Sequence, residues 1–122
     1  MGGKITKLCS VYVIGCEADQ NVCKVGISDD PRKRLQGLQS GCPHKLYLAH
    51  TMTVAGRAAA VALEAKAHGM MTSARMSGEW FAVTPAAAFL MVRVAEKFTR
   101  ENPCPTRRRL IGELFDKVAL QA

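Results

Sequence analysis

The amino-acid sequence predicts a mixed α/β (α+β) domain, a small sheet flanked by helices and followed by a C-terminal helical extension. Two stretches rich in β-branched and aromatic residues, L-C-S-V-Y-V-I-G (residues 8–15) and V-C-K-V-G-I-S (residues 22–28), are separated by a short polar turn and read as an antiparallel hairpin. Segments with helical start and stop signals then alternate with shorter extended ones. A chain of 122 residues with 48% apolar side chains is one domain, large enough to bury roughly two-thirds of its unfolded surface without staples.

Each element follows in order. With the turn centred on Ala18, Tyr12 lies opposite Lys24 and both project from one sheet face. Asp30 is a good N-cap and Pro31 suits the first helical position, so a helix is expected to run to about Ser40 and end at Gly41 in the left-handed conformation. Leu35 and Leu38 form its apolar stripe, with Arg32, Lys33 and Arg34 around the rest. Residues 46–53 read as a third strand, and residues 56–71 as an alanine-rich helix whose small side chains permit close packing on the sheet. Residues 79–83 are a short strand or extended segment, and Pro85 opens a long helix to about Arg100. The N-P-C-P run at 102–105 cannot continue that helix. A last amphipathic helix is expected over about 107–120, with Leu110, Ile111, Leu114, Phe115 and Val118 on its apolar face. The division is therefore an arm (1–7), a domain (8–101) and a proline-containing linker with a C-terminal helix (102–122).

Seventeen Lys and Arg against 10 acids give a net charge of +7, which points to a polyanionic partner. The five cysteines include no C-x-x-C pair, so a zinc ribbon is not expected. Three of them lie in apolar strand-like stretches, which fits reduced thiols in a cytoplasm. The sequence shows no secretory leader and no apolar run long enough to span a bilayer. Met1-Gly2 with Thr6 matches a loose myristoylation pattern, but a single lipid chain anchors weakly and the segment reads as a frayed arm.

The pieces S-V-Y, K-V-G-I-S, D-P-R-K-R-L-Q-G-L-Q-S-G, A-L-E-A-K-A-H and G-E-W-F occur in that order between about Val11 and Val83. Together they resemble the GIY-YIG endonuclease superfamily, most closely its phage-type branch, in which the second triplet reads K-I-G or K-V-G and a late E-W-F occurs. The resemblance implies three antiparallel strands flanked by helices, a site on one sheet face, and hydrolysis of nucleic-acid phosphodiesters with one divalent ion, Mg²⁺ or Mn²⁺. By position it implies that Tyr12 ends the first triplet and Gly26 the second, that Arg34 is the arginine of the first helix, and that Glu64 is the metal-binding glutamate. The superfamily's second tyrosine is replaced by Lys24.

Chemistry supports such roles. In-line attack on a phosphodiester builds negative charge on the phosphoryl and leaving oxygens, which a metal ion can neutralise. Magnesium keeps most of its waters, so one carboxylate can suffice. The planar fork of Arg34 suits phosphate oxygens. Tyrosine is a poor base at its ordinary pKa of about 10, so Lys24 is expected either to depress the Tyr12 pKa or to bind phosphate directly. His68 shares the Glu64 face and is a candidate to assist metal or phosphate.

Each residue also admits a plain reading: Tyr12 as a half-buried strand tyrosine, Arg34 as part of a solvated basic face, Glu64 as a surface acid meeting His68, Lys24 as an edge-strand charge. Glu79-Trp80-Phe81 reads as architectural, with Trp80, the sole tryptophan, packed against a helix. Arg107, Arg108 and Arg109 oppose a helix dipole and read equally as a tolerated charge run or, with Arg32 and Lys33, as phosphate-gripping groups. The expected activity is cleavage of DNA, more readily than RNA, by water attack. The rivals are an inactive nucleic-acid-binding module of the same fold and an interaction protein that forms a homodimer through its last helix.

Overall fold

The structure is a computed structural model that describes residues 7–101. The arm before Lys7 and everything after Glu101 lie outside the described residues, including Cys104, the arginines at 107–109 and the last expected helix. The elements in chain order are β1 (Cys9–Cys16), β2 (Asp19–Ser28), α1 (Pro31–Ser40), β3 (Leu46–Val54), α2 (Arg57–Met70), β4 (Arg75–Ser77), β5 (Trp80–Phe81) and α3 (Pro85–Glu101), with a single 3-10 turn at Thr72–Ala74. The strands form one sheet in the order β3-β1-β2-β5-β4, and every neighbouring pair is antiparallel.

The sheet thus has five strands, where three were expected. β4 and β5 are three and two residues long, too short to carry an alternating pattern. They turn about Gly78, whose φ of +57° is left-handed backbone that glycine adopts without strain. The small hairpin pairs with β2 through β5, at Cys23 and Lys24.

The β1–β2 register also differs from expectation. Tyr12 pairs with Gly26, and Lys24 pairs with Ile14. The cause is an irregularity at the turn end: Gly15 pairs with Cys23 while Cys16 pairs with Asp19, so β2 carries extra residues there. The displacement is two residues, an even number, so Tyr12 and Lys24 still share a face as diagonal neighbours.

Alternation along the strands sends side chains to two cores. On one face Val11, Val13, Cys23, Val25 and Phe81 pack under α2 and α3, against Ala60, Leu63, Ala67, Ala88, Val92 and Ala95. The alanines let both helices lie close to the strands. On the other face Tyr12, Ile14, Cys16 and Leu46 meet Leu35 and Leu38 of α1, together with Trp80. No residue of α1 is fully buried, so this second layer is a thin cover. Trp80 packs in the cluster that includes the α1 leucines, as the sequence suggested.

The start of α1 follows its sequence signals: the Asp30 carboxylate accepts the Lys33 N–H at 3.1 Å, and Pro31 opens the helix. Its end does not. Gly41 sits at φ −101°, so the left-handed conformation expected there is not used. The last turn closes instead through Gly41 N–H to Leu38 O and Cys42 N–H to Gln39 O. The Gln39 amide then ties the following loop, donating to His44 O and accepting from Leu46 N–H. Cys9, Cys16 and Cys23 are buried free thiols, and burial pushes Cys23 up to about 11. Among the described residues no helix is long and apolar enough to cross a membrane.

Candidate active site

Tyr12 is fully buried on the α1 face of β1, at 1% exposure. The guanidinium of Arg34 reaches down from the exposed side of α1 towards its hydroxyl and pulls its pKa down against burial. Capping at Asp30 sets the start of that helix, and one turn further on Arg34 stands above the tyrosine. The residue opposite Tyr12 must be small. A Cβ built on Gly26 would lie 2.6 Å from Tyr12 Cζ and 3.0 Å from Glu79 Oε1. Tyr12 and Glu79 therefore converge over the bare backbone of Gly26, the functional meaning of the glycine in K-V-G.

Lys24 is buried at 8% exposure, and its ammonium donates to Glu79 Oε1 at 2.8 Å. Glu79 is delivered by the β4–β5 turn, and its carbonyl accepts the Val25 N–H at 3.0 Å, which anchors the turn to β2. Glu64 comes from α2, and its carboxyl group is an electrostatic neighbour of that of Glu79. Burial first, and the neighbouring Glu79 second, push the Glu64 carboxyl up to about 7, against the opposing pull of Lys24 and Arg57. Glu64 Oε2 is wholly buried and has no hydrogen-bond partner among the described residues.

The fold thus brings Tyr12, Lys24, Arg34 and Glu64 into one neighbourhood, linked through Glu79. His68 is one turn beyond Glu64, but its Nε2–H is spent on the Val25 carbonyl at 2.8 Å and its ring packs obliquely on Phe81. Burial lowers its pKa. These contacts brace α2 against β2 and leave His68 a supporting part. Arg32 and Lys33 are exposed on α1 beside the site. A shallow depression of about 350 Å³, lined by Ser28, Asp29, Asp30, Lys33, Arg34 and Gly37, runs along this flank.

Two expectations about Lys24 are corrected. It is not an edge-strand charge, because β1 and β5 flank it on both sides. Nor is the Tyr12 pKa depressed: burial raises it above its ordinary value, Glu79 and Glu64 push the same way, and only Arg34 opposes. The Lys24 charge is taken up by Glu79 instead of acting on the phenol. Glu79 itself was read as architectural and stands in the cluster. Its signal lay in Lys24, since a lysine in an apolar strand requires an acid partner.

Among the described residues no group of three or more His, Cys, Asp or Glu side chains is arranged to hold a metal. A cation here would rest on one or two carboxylates and its own waters, which is the habit of magnesium. Glu64 suits that role, because a buried carboxylate oxygen without a donor is an acceptor in need of a positive partner.

A small antiparallel sheet with a phenol, a guanidinium, an ammonium and two acids clustered beside its helix-covered faces makes this an α+β domain with a polar candidate site. Residues 10–101 match the family model described as the T5orf172 domain. The chain belongs to this family, a phage-associated, nuclease-type domain. No curated protein and no solved structure matches it.

Proposed function

We propose that this domain is an endonuclease that hydrolyses DNA phosphodiester bonds by attack of water, with one divalent cation. The observation that carries the reading is that Arg34 and Glu64 both act on Tyr12, and that one carboxylate oxygen of Glu64 is buried without a hydrogen-bond partner among the described residues. A protein that merely gripped DNA would have no use for a carboxylate beside its phosphate-binding groups, since that acid repels phosphate.

Arg34 holds the non-bridging oxygens of the scissile phosphate and stabilises the charge that grows on them. Arg32 and Lys33 hold neighbouring phosphates along the exposed side of α1. Tyr12, with its pKa raised, stays a neutral phenol at physiological pH; its hydroxyl orients Arg34 and the attacking water. Glu64 would hold Mg²⁺ or Mn²⁺, which when bound supplies Lewis-acid stabilisation of the leaving oxygen.

The test is incubation of the full chain with supercoiled, linear, single-stranded and branched DNA in Mg²⁺ or Mn²⁺. Cleavage is expected, with Glu64→Ala and Arg34→Ala each slowing it by about 10²–10³. Cleavage that persists at parental rate in both variants excludes this site.

A second reading is a binding module of the same fold that does not cut. The Lys24–Glu79 pair favours it, since it stands where the superfamily has its second tyrosine. DNA retention without cleavage under every condition would select this reading.

A further inference from the structure

From this geometry we propose that Glu79 is a second ligand, beside Glu64, for the divalent cation. The inference deepens the reading above and rests on it for the identity of the ion as a hard divalent cation. Four observations carry it. The Glu64 and Glu79 carboxyl groups are electrostatic neighbours although they arrive from separate elements, α2 and the β4–β5 turn. Glu64 Oε2 is buried with no hydrogen-bond partner among the described residues. Glu79 Oε1 already holds a cation, the Lys24 ammonium at 2.8 Å. The missing Cβ of Gly26 lets that oxygen and the Tyr12 hydroxyl converge over bare backbone.

Charge balance then argues for one more cation. Two carboxylates neighbour one buried ammonium, and the hydrogen bond of that ammonium goes to Glu79. A divalent ion between the acids would give the unpartnered oxygen of Glu64 its missing positive neighbour, and Glu79 would then be shared between Lys24 and the ion. Two carboxylates with several retained waters is an ordinary oxygen-ligand set for Mg²⁺. Lys24 acquires a purpose in the same step: it holds Glu79 in place before the ion arrives and tempers the affinity afterwards.

Titration calorimetry of the full chain with Mn²⁺, at mildly alkaline pH and without DNA, tests this independently of cleavage. The parent is expected to bind one ion, and Glu64→Gln and Glu79→Gln each to weaken binding by about tenfold or more, at least the loss seen when a supporting carboxylate is removed from a metal site. Glu79→Gln strands a buried ammonium and can unfold the chain, so Lys24→Met and Lys24→Met/Glu79→Gln are measured as a second pair. Lys24→Met should bind more tightly than the parent, and the double variant about tenfold or more weaker than Lys24→Met.

A double variant that binds like Lys24→Met, or a parent that binds no Mn²⁺, overturns the inference; in the first case Glu79 is only the counter-ion of Lys24. The two readings fail separately. A chain that binds Mn²⁺ through both acids and cuts no DNA keeps this inference and loses the nuclease. A chain that cuts DNA while its Lys24→Met/Glu79→Gln variant matches Lys24→Met in Mn²⁺ affinity does the reverse.

Discussion

The two faces of the sheet are built from the same strands and serve opposite ends. Under α2 and α3 the residues are Val11, Val13, Val25 and Phe81, all fully buried and apolar. Under α1 the neighbouring positions are Tyr12, Ile14 and Lys24, again buried, but two of the three carry polar groups that need partners. The first face is held mainly by buried apolar area. The second depends on specific donors and acceptors, namely Arg34 on Tyr12 and Glu79 on Lys24. Polar groups under a thin helix cost stability unless paired, and this domain concentrates them where chemistry is proposed. A firm apolar face makes an exacting polar one tolerable.

That contrast can be broken from either side. The largest expected effect is on the apolar face: Phe81→Ala should destabilise the domain by about 3–5 kcal/mol in urea unfolding, because the ring is wholly buried and also carries the His68 and Arg75 contacts. A loss below about 1 kcal/mol would mean that this face collapses around the gap.

Gly26→Ala probes the polar face. The new methyl would press on Tyr12 Cζ and Glu79 Oε1, so a cost of about 1–3 kcal/mol is expected. Any cleavage should suffer more than stability does, since both displaced groups belong to the site. Parental stability and rate together would show that the close approach is unimportant.

The smallest effect is electrostatic. The Glu64 carboxyl is raised from 4.5 to about 7, so between those values the folded chain holds a proton that the unfolded chain has released. Its contribution is therefore full below 4.5 and is lost as pH rises towards about 7. The melting temperature should decline across that window in the parent and decline less in Glu64→Gln. Partial solvent access keeps the effect modest. Identical slopes in the two proteins would remove Glu64 as the titrating group.

Much of the apolar face was legible in the sequence. Runs rich in β-branched and aromatic residues marked β1 and β2, and alanine-rich and apolar helical periodicity marked α2 and α3, because burial writes itself into residue type. The start of α1 was equally legible from Asp30-Pro31. The polar face was only half legible. Tyr12, Arg34 and Glu64 were found through motif order, but the hairpin register was misplaced by two residues because an irregularity at Gly15/Cys16 leaves no compositional trace. β4 and β5 were too short to show a period. Glu79 was overlooked for the same reason: its importance comes from a long-range meeting with Lys24 across 55 positions, which local pattern does not encode. The missing left-handed cap at Gly41 teaches a related lesson, since backbone N–H groups close the last turn and the Gln39 side chain then fixes the following loop.

The β4–β5 hairpin has one further consequence. It meets β2 through only two residue pairs and one extra backbone hydrogen bond, yet it alone supplies Glu79. Short peripheral ladders of this kind open at a small fraction of the global unfolding free energy. On warming, the proposed site should therefore come apart while the bulk of the protein is still intact, and amide protons of Val25 and its neighbours would exchange ahead of those on β1.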